Sequence, residues 1–294
     1  MKKLLLKGAL ILLIIAIVAG LGFLVWNFFQ SRNTQIPGIT EEQANKKKQE
    51  ENQKERAEKQ EVLIETVKEI FAQDSPGTTF SIAVYDLKRN EYFGFNDTDA
   101  QHAASISKIL TAVYSFDQVE KSNVSLSDPL GAYNIETQIK FLINQSSQDS
   151  WDLLDERFKL AEQNKFAKSL GLNATDVTRG VNKMSPKDTA TLLKKLQKGE
   201  ILKQFNRDKL FSYMQKTESE DFFSPALKLE DARFYHKTGK YLGEGHDAAV
   251  VEHDSNPFVL VVFSNNNTNT NLIGRGKVMT QVASEVYGYF DSLN

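Results

Sequence analysis

The strand patterns of this chain fall into two groups that are far apart in the sequence. Thr79–Asp86 and Glu91–Phe95 are rich in β-branched and aromatic residues and flank a short turn, which predicts a hairpin. A block with helical periodicity follows at residues 138–196. Three more strand patterns come late, at residues 234–239, 247–252 and 258–264. This order predicts an α+β fold, in which the first and last strands share an antiparallel sheet flanked by helices, with a helical subdomain inserted.

The first 30 residues have a different composition. Residues 9–29 are apolar except for two glycines and one asparagine, and three lysines precede them. A helix needs about 20 apolar residues to cross a bilayer, and the preceding lysines favour a cytoplasmic N-terminus. We therefore expect residues 1–30 to be a cytoplasmic tip and a single transmembrane anchor, with the rest outside the cell membrane. A cleaved signal peptide is the alternative, although its apolar region is usually shorter.

Residues 31–60 form a charged segment between the apolar run and the strand patterns. Lysine, glutamate, glutamine and asparagine dominate it, and no apolar heptads are present. This composition is typical of a solvated helix or a flexible stalk rather than a coiled coil. We expect a linker at 31–60 and one folded domain at 61–294, beginning with a helix near residue 62 and ending with one near residues 276–290.

Composition excludes several classes of function. The net charge is −2, which offers no argument for nucleic-acid binding. The chain has no cysteine, so it has neither disulfides nor thiolate metal ligands. Its four histidines lack carboxylates at ligand spacing, so no metal site is expected, and nothing indicates a cofactor. The sequence leaves the oligomeric state undetermined.

One short pattern suggests covalent chemistry. Ser105 and Lys108 are three positions apart at the start of a predicted helix, so their side chains lie on one face. A buried, neutral lysine amine can take the proton of a serine hydroxyl and make it a nucleophile. By itself the pattern is more simply that of a helix start with a serine near the N-cap and a solvated lysine.

Two later segments strengthen the catalytic interpretation. Together with Ser105-x-x-Lys108, the triplets Ser146-Ser147-Gln148 and Lys237-Thr238-Gly239 resemble the three motifs of class A β-lactamases and penicillin-binding proteins. The resemblance covers the chain from about residue 62 onward. The middle triplet departs from the family, because Gln148 stands where an asparagine is usual. A register shifted to Ser147-Gln148-Asp149, or a plain polar loop, remains an alternative.

The resemblance implies a role for each matching residue. The implied catalytic residues are Ser105 as nucleophile, Lys108 as its base, Ser146 as proton relay to the leaving nitrogen, and Lys237 as a source of positive potential. The implied substrate-binding residues are Gln148, Thr238, Gly239 and Lys240. Backbone N–H groups of Ser105 and Lys240 would form the oxyanion hole, while the role of the Lys240 charge is left open.

A second departure concerns release of the acyl group. In class A β-lactamases a loop after the helical block carries a glutamate that positions the hydrolytic water. Here residues 171–184 contain no glutamate, and the loop is short. We therefore expect a membrane-anchored serine hydrolase that forms an acyl-enzyme with β-lactams or D-Ala-D-Ala peptidoglycan peptides, with doubtful deacylation. The alternatives are a catalytically silent penicillin- or cell-wall-binding module, and a stalk-mediated membrane adaptor.

Overall fold

A computed structural model describes residues 41–268 and 270–293. The described residues divide into two units at residue 58, so that 41–58 belong to the first and those from 59 onward to the second. The predicted anchor at residues 9–29 lies outside the described residues. Among the residues that the structure does describe, no helix combines the length and hydropathy needed to cross a membrane.

The described part of the predicted linker is helical. Helix α1 runs over Glu41–Asp74, and its first part is almost entirely exposed. Of the two alternatives, solvated helix or flexible stalk, the structure therefore shows a solvated helix from Glu41 onward. Only beyond residue 60 does the helix gain a buried face, formed by Leu63, Val67 and Phe71. The aromatic ring of Phe71 stacks on Phe80, with the ring centroids 4.1 Å apart.

The remaining elements follow in an order close to the one expected. The strands are β1 (Thr79–Asp86), β2 (Glu91–Phe95), β3 (Gln101–His102), β4 (Pro129–Leu130), β5 (Tyr133–Asn134), β6 (Lys183–Met184), β7 (Arg233–Tyr241), β8 (Glu244–Glu252) and β9 (Phe258–Asn265). The helices after α1 are α2 (Lys108–Glu120), α3 (Ile135–Asn144), α4 (Gln148–Phe158), α5 (Leu160–Ser169), α6 (Pro186–Gln197), α7 (Gln204–Tyr213), α8 (Ser224–Leu229) and α9 (Leu272–Asp291).

The main sheet joins the two groups of strands. Its order is β2-β1-β9-β8-β7, and all of its neighbours are antiparallel. The prediction that the first and last strands share one sheet is confirmed, because β1 pairs with β9 along its whole length. The late strands are longer than predicted, since β7 and β8 continue into a tight hairpin around Leu242 and Gly243.

Both faces of the sheet are covered, which explains why the central strand is apolar throughout. Alternate residues of β9 point to opposite faces. Val259, Val261 and Phe263 belong to a core shared with the helical block, while Leu260 and Val262 belong to a second core shared with α1 and α9. The fold is thus α+β, as predicted, with the helical subdomain on one side of the sheet.

Side-chain caps fix where several helices of the block begin. Asn134 caps α3, Ser147 caps α4 and Ser185 caps α6, each accepting a hydrogen bond from a backbone N–H three residues further along. Pro186 occupies the first turn of α6, where its missing N–H costs nothing. The cap at Ser147 places Ser146 just outside α4, on the side that faces α2 and β7.

Candidate active site

The predicted nucleophile lies on a tight turn rather than inside an α-helix. Ala104 has a positive φ of 46° and opens a 3-10 turn, Ala104–Ser107, that leads directly into α2. A non-glycine residue in this conformation is strained, and such strain persists only where neighbouring contacts hold it. Asn182 supplies them: its carbonyl accepts from Ala103 N at 2.9 Å, and its Nδ2 donates to Ala104 O at 2.9 Å. The turn presents Ser105, partly exposed, to a cleft.

Two buried lysines converge on one serine. Lys108 Nζ donates to Ser146 O at 2.6 Å and lies 3.5 Å from Ser146 Oγ. Lys237 Nζ, arriving from β7, donates to Ser146 Oγ at 3.0 Å and to Thr238 O at 2.7 Å. Each lysine is only 2 % exposed. The fold therefore brings together residues from all three predicted motifs. The serine that the two lysines contact is Ser146, which begins the first of the two registers considered for the middle motif, and not Ser147, which begins the shifted one.

Burial makes these two lysines unusual bases. Removal from water disfavours the charged form, and this lowers the pKa of Lys108 to about 8, although Asp152 and Asp155 partly oppose the shift. Burial also lowers the pKa of Lys237, and the positive charge of Lys108 lowers it further. Two ammonium groups that share one hydroxyl oxygen repel each other, so one of them gives up its proton far more readily than a solvated lysine does.

The nucleophile is not part of this hydrogen-bond chain. Within the described residues, no hydrogen bond joins Ser105 Oγ to Lys108 or Ser146. The Lys108 ammonium instead points at Ser146 and lies 4.9 Å from the centroid of the Trp151 ring. Ser105 and Lys108 are three residues apart, across the 3-10 turn and the first residue of α2.

Strand β7 borders the nucleophile turn with its free edge. His236 N donates to Met214 O at 2.9 Å instead of to β8, so by alternation the N–H groups of Thr238 and Lys240 also face away from β8. A Cβ on Gly239 would lie 3.0 Å from Ile106 Cγ1 and 3.1 Å from Ala103 O. Glycine therefore lets the strand approach the turn more closely than a larger residue would, and Lys240 is the next residue along β7.

Two of the other predicted binding residues, Gln148 and Lys240, line the cleft, whereas Thr238 is buried. Gln148 is exposed at the first position of α4, where its Nε2 donates to Asp152 Oδ1 at 3.2 Å. The Lys240 side chain forms an ion pair with Asp221, at 2.6 and 2.7 Å, and its charge is therefore directed to the rim. Thr238 is 5 % exposed. The roles proposed for these residues stay predictions.

The cleft also contains residues that the motifs did not identify. It has a volume of about 410 Å³, and its wall includes His102, Trp151, Asp152, Asp155, Asn182 and Tyr241. His102 Nδ1 lies 2.5 Å from Glu244 Oε2, and its ring packs near Tyr241. Three of these residues come from α4 and share the face of Gln148, at spacings of three, four and seven residues. Helical periodicity from Gln148 was the signal that could have found them.

The short loop offers no carboxylate to the cleft. Asp176, its single acidic residue, accepts from Asn164 Nδ2 at 3.0 Å and from Thr178 N at 2.9 Å, which closes the loop on itself. The backbone of Asp176 pairs with that of Lys183 in both directions. The carboxylates that line the cleft are therefore Asp152 and Asp155, both on α4.

Comparisons with known proteins bear on the fold and on the family of the chain. A search of curated protein sequences finds no match. Among solved structures, PBP-A superposes with a TM-score of 0.71 at 22 % identity, covering 78 % of this chain and 96 % of that one. A mutant of PBP-A, solved as an acyl-enzyme complex with penicillin G, gives 0.70 at 23 % identity, covering 78 % and 96 %. An ancestral class A β-lactamase gives 0.72 at 20 % identity, covering 78 % and 100 %.

These structural similarities establish the fold, and a sequence match establishes the family. The sequence pattern of the "Beta-lactamase enzyme family" matches residues 62–290, which include the nucleophile turn, the serine between the two lysines and the strand that borders them. The chain belongs to the Beta-lactamase enzyme family.

Proposed function

We propose that this protein forms a covalent acyl-enzyme at Ser105 with β-lactams or with peptidoglycan peptides that end in D-Ala-D-Ala. The observation that carries the proposal is the convergence of Lys108 and Lys237 on Ser146, directly beside the turn that exposes Ser105. A hydroxyl nucleophile needs a neutral base, and burial supplies one by lowering the pKa of Lys108 to about 8.

A side chain or a backbone N–H group of the site is available for each step of acylation. The Ser105 hydroxyl attacks the carbonyl carbon while Lys108 Nζ takes its proton. The N–H groups of Ser105 and Lys240 receive the oxyanion, and loss of one such donor typically costs about 3 kcal/mol. Ser146 Oγ, held by Lys237, passes its proton to the departing nitrogen and takes from Lys108 Nζ the proton that came from Ser105. Thr238 and Lys237, whose pKa burial lowers to about 7, bind the substrate carboxylate, and the negative charge of that carboxylate favours the protonated form of Lys237.

A fluorescent penicillin tests this proposal. The full-length chain, purified in a mild detergent, should acquire one covalent label per molecule, located at Ser105 by peptide mass spectrometry. Ser105→Ala should remain unlabelled, whereas Ser127→Ala, a change at an exposed serine far from the motifs in the sequence, should label like the unmodified chain. If the Ser105→Ala chain carries as much label as the unmodified chain, the proposal is wrong.

A silent binding module is the second candidate. The observation that favours it is the missing hydrogen bond between Ser105 Oγ and Lys108 among the described residues, together with the exposed Gln148. Such a module would bind penicillin reversibly, so the ligand would raise the melting temperature without adding mass. The labelling experiment separates the two candidates, because a covalent adduct survives denaturation and a reversible complex does not.

We further propose that the chain is anchored in the cell membrane through residues 9–29, with the hydrolase domain on the extracytoplasmic side. The support is the length of the apolar run and the lysines before it. The full chain should remain with the membrane fraction after washing with carbonate, and added protease should reach its C-terminal domain in intact cells. Recovery in the carbonate wash would refute the anchor.

A further inference from the structure

A second pocket adjoins the cleft that contains Ser105. It has a volume of about 540 Å³, and His102 lines both it and the cleft, so this residue forms the boundary between the two. His102 ends β3, and Ser105 follows it by three residues. Three residues span at most about 10 Å of extended chain. A substrate bound at Ser105 therefore has to extend only about that far to reach the second pocket.

The floor of the second pocket is one end of the main sheet. Glu244, Asn265 and Thr79 are register partners on β8, β9 and β1, so their side chains share one face of the sheet. Residues 99–102 and Lys183 of β6 add further lining. Most of these residues belong to paired strands, so the pocket is largely formed before a ligand arrives, as is usual for small-molecule sites.

Two opposite charges line this pocket without pairing. Asp99 and Lys183 are both exposed there, and among the described residues neither side chain forms an ion pair or a hydrogen bond. The other two charged groups, His102 and Glu244, contact each other, with Nδ1 2.5 Å from Oε2. His246 is buried and uses both ring nitrogens in contacts with backbone groups. A ligand group with one positive and one negative charge is therefore the electrostatic complement of the pocket.

We propose that the second pocket binds the side chain of the substrate residue that precedes D-Ala-D-Ala, and that this side chain ends in an amino-acid group. Its ammonium would pair with Asp99 and its carboxylate with Lys183. The inference rests on the proposed acyl-enzyme and deepens it, because it names a peptidoglycan peptide with such a side chain as the substrate class.

The length of such a side chain matches the distance to be covered. Its residue is the neighbour of the acylated D-Ala, about 3.8 Å away along the chain, and a side chain of five carbon atoms adds about 6 Å. The path passes the rings of His102 and Tyr241, whose centroids are 5.1 Å apart. Both residues line the cleft, and their rings would cover the aliphatic part of the side chain.

Four peptides that differ only in this side chain test the inference on the full-length chain in mild detergent. Each is an N-acetylated tripeptide ending in D-Ala-D-Ala. The first residue is diaminopimelate with both charges, lysine with the ammonium alone, 2-aminopimelate with the carboxylate alone, or norleucine with neither. The initial rate of D-Ala release at stoichiometric protein gives the rate constant of acylation whether or not the acyl group is later released.

Each charge of the side chain should raise this rate constant separately. The expected factor is about fivefold per charge, the upper value for one exposed ion pair, so diaminopimelate should exceed norleucine by about 25-fold. Binding energy from a remote part of a substrate can appear in the rate of the chemical step as well as in affinity. The rate constant for the norleucine peptide serves as the internal reference.

Two substitutions assign the charges to their partners. Asp99→Asn should abolish the effect of the ammonium and keep that of the carboxylate, whereas Lys183→Gln should do the reverse. Rates are compared between peptides within one variant, so a loss of folded protein cancels. Asp231→Asn is the control, because this exposed aspartate precedes β7 at the end of the strand remote from Glu244. It should keep both effects.

The outcomes separate this inference from the proposed acyl-enzyme. Equal rates for the four peptides, or a preference that survives both substitutions, would overturn the inference. So would penicillin labelling of Ser105 in a chain that releases D-Ala from none of the peptides. If neither penicillin nor any peptide acylates Ser105, the acyl-enzyme proposal fails, and the inference fails with it.

Discussion

A buried imidazole lies directly behind the lysine of the third motif. His236 is fully buried, and its ring nitrogens face two carboxylates: Nδ1 is 3.1 Å from Asp247 Oδ1, and Nε2 is 3.2 Å from Glu220 Oε1. Burial alone would lower the pKa of His236, but the two carboxylates outweigh it and raise the pKa from 6.5 to about 9. The folded protein therefore holds His236 as an imidazolium at neutral pH, as a structural residue rather than a catalytic one.

This pKa shift sets a measurable dependence of stability on pH. A shift of one unit corresponds to 1.36 kcal/mol, so the shift from 6.5 to about 9 corresponds to about 3 kcal/mol. Because the folded pKa is raised, the stabilisation is complete below pH 6.5, decreases as the pH rises, and is lost above pH 9. His236→Gln removes it, so the difference in unfolding free energy between the two proteins should shrink by about 3 kcal/mol between pH 6 and pH 9.5.

Urea denaturation across this pH range provides the assay. Lys108 and Lys237 have lowered pKa values and change the stability in the opposite direction, but they titrate in both proteins and so cancel in the difference. A difference that stays constant from pH 6 to pH 9.5 would show that His236 is neutral in the folded protein and would refute the reasoning. The variant should also unfold at lower urea at pH 6, because the buried carboxylate of Asp247 and the partly buried one of Glu220 lose their cation.

Two further predictions concern the approach to the nucleophile and its activation. Gly239→Val should slow acylation and destabilise the fold by about 1–3 kcal/mol, because the added Cβ would lie 3.0 Å from Ile106 Cγ1. The control is Gly288→Ala in α9, where the added Cβ would have no atom within 4 Å. This change should stabilise the chain by up to about 1 kcal/mol in thermal unfolding. Equal effects of the two changes on stability would contradict the steric argument. The rate of acylation at saturating penicillin should rise about tenfold per pH unit below pH 8 and level off above it, since Lys108 must be neutral to accept the proton. A rate independent of pH from 6 to 8, followed by stopped-flow fluorescence, would exclude Lys108 as the base.

Local sequence determined most of the elements that frame the site. The bounds of β1 and β2 follow directly from β-branched and aromatic runs separated by a turn. The start of α6 follows from a serine cap and a proline. The spacing of Ser105 and Lys108 is likewise local, although the structure places Ser105 in a 3-10 turn and Lys108 at the start of α2 instead of both in one helix. The strained turn before α2 was not predicted, because Ala104 adopts a positive φ only under contacts from a loop 78 residues away.

Tertiary structure alone decided which charges meet. Ser146 receives Lys108 from one helix and Lys237 from a distant strand, and the lowered pKa values exist only because folding removes both lysines from water. The same holds for Asp152, an ordinary aspartate by its sequence, whose negative charge in the folded chain partly opposes the lowering of the Lys108 pKa. Short-range spacing specifies which side chains share a helix face, but electrostatics depend on distance and burial, and these are set by residues far apart in the chain.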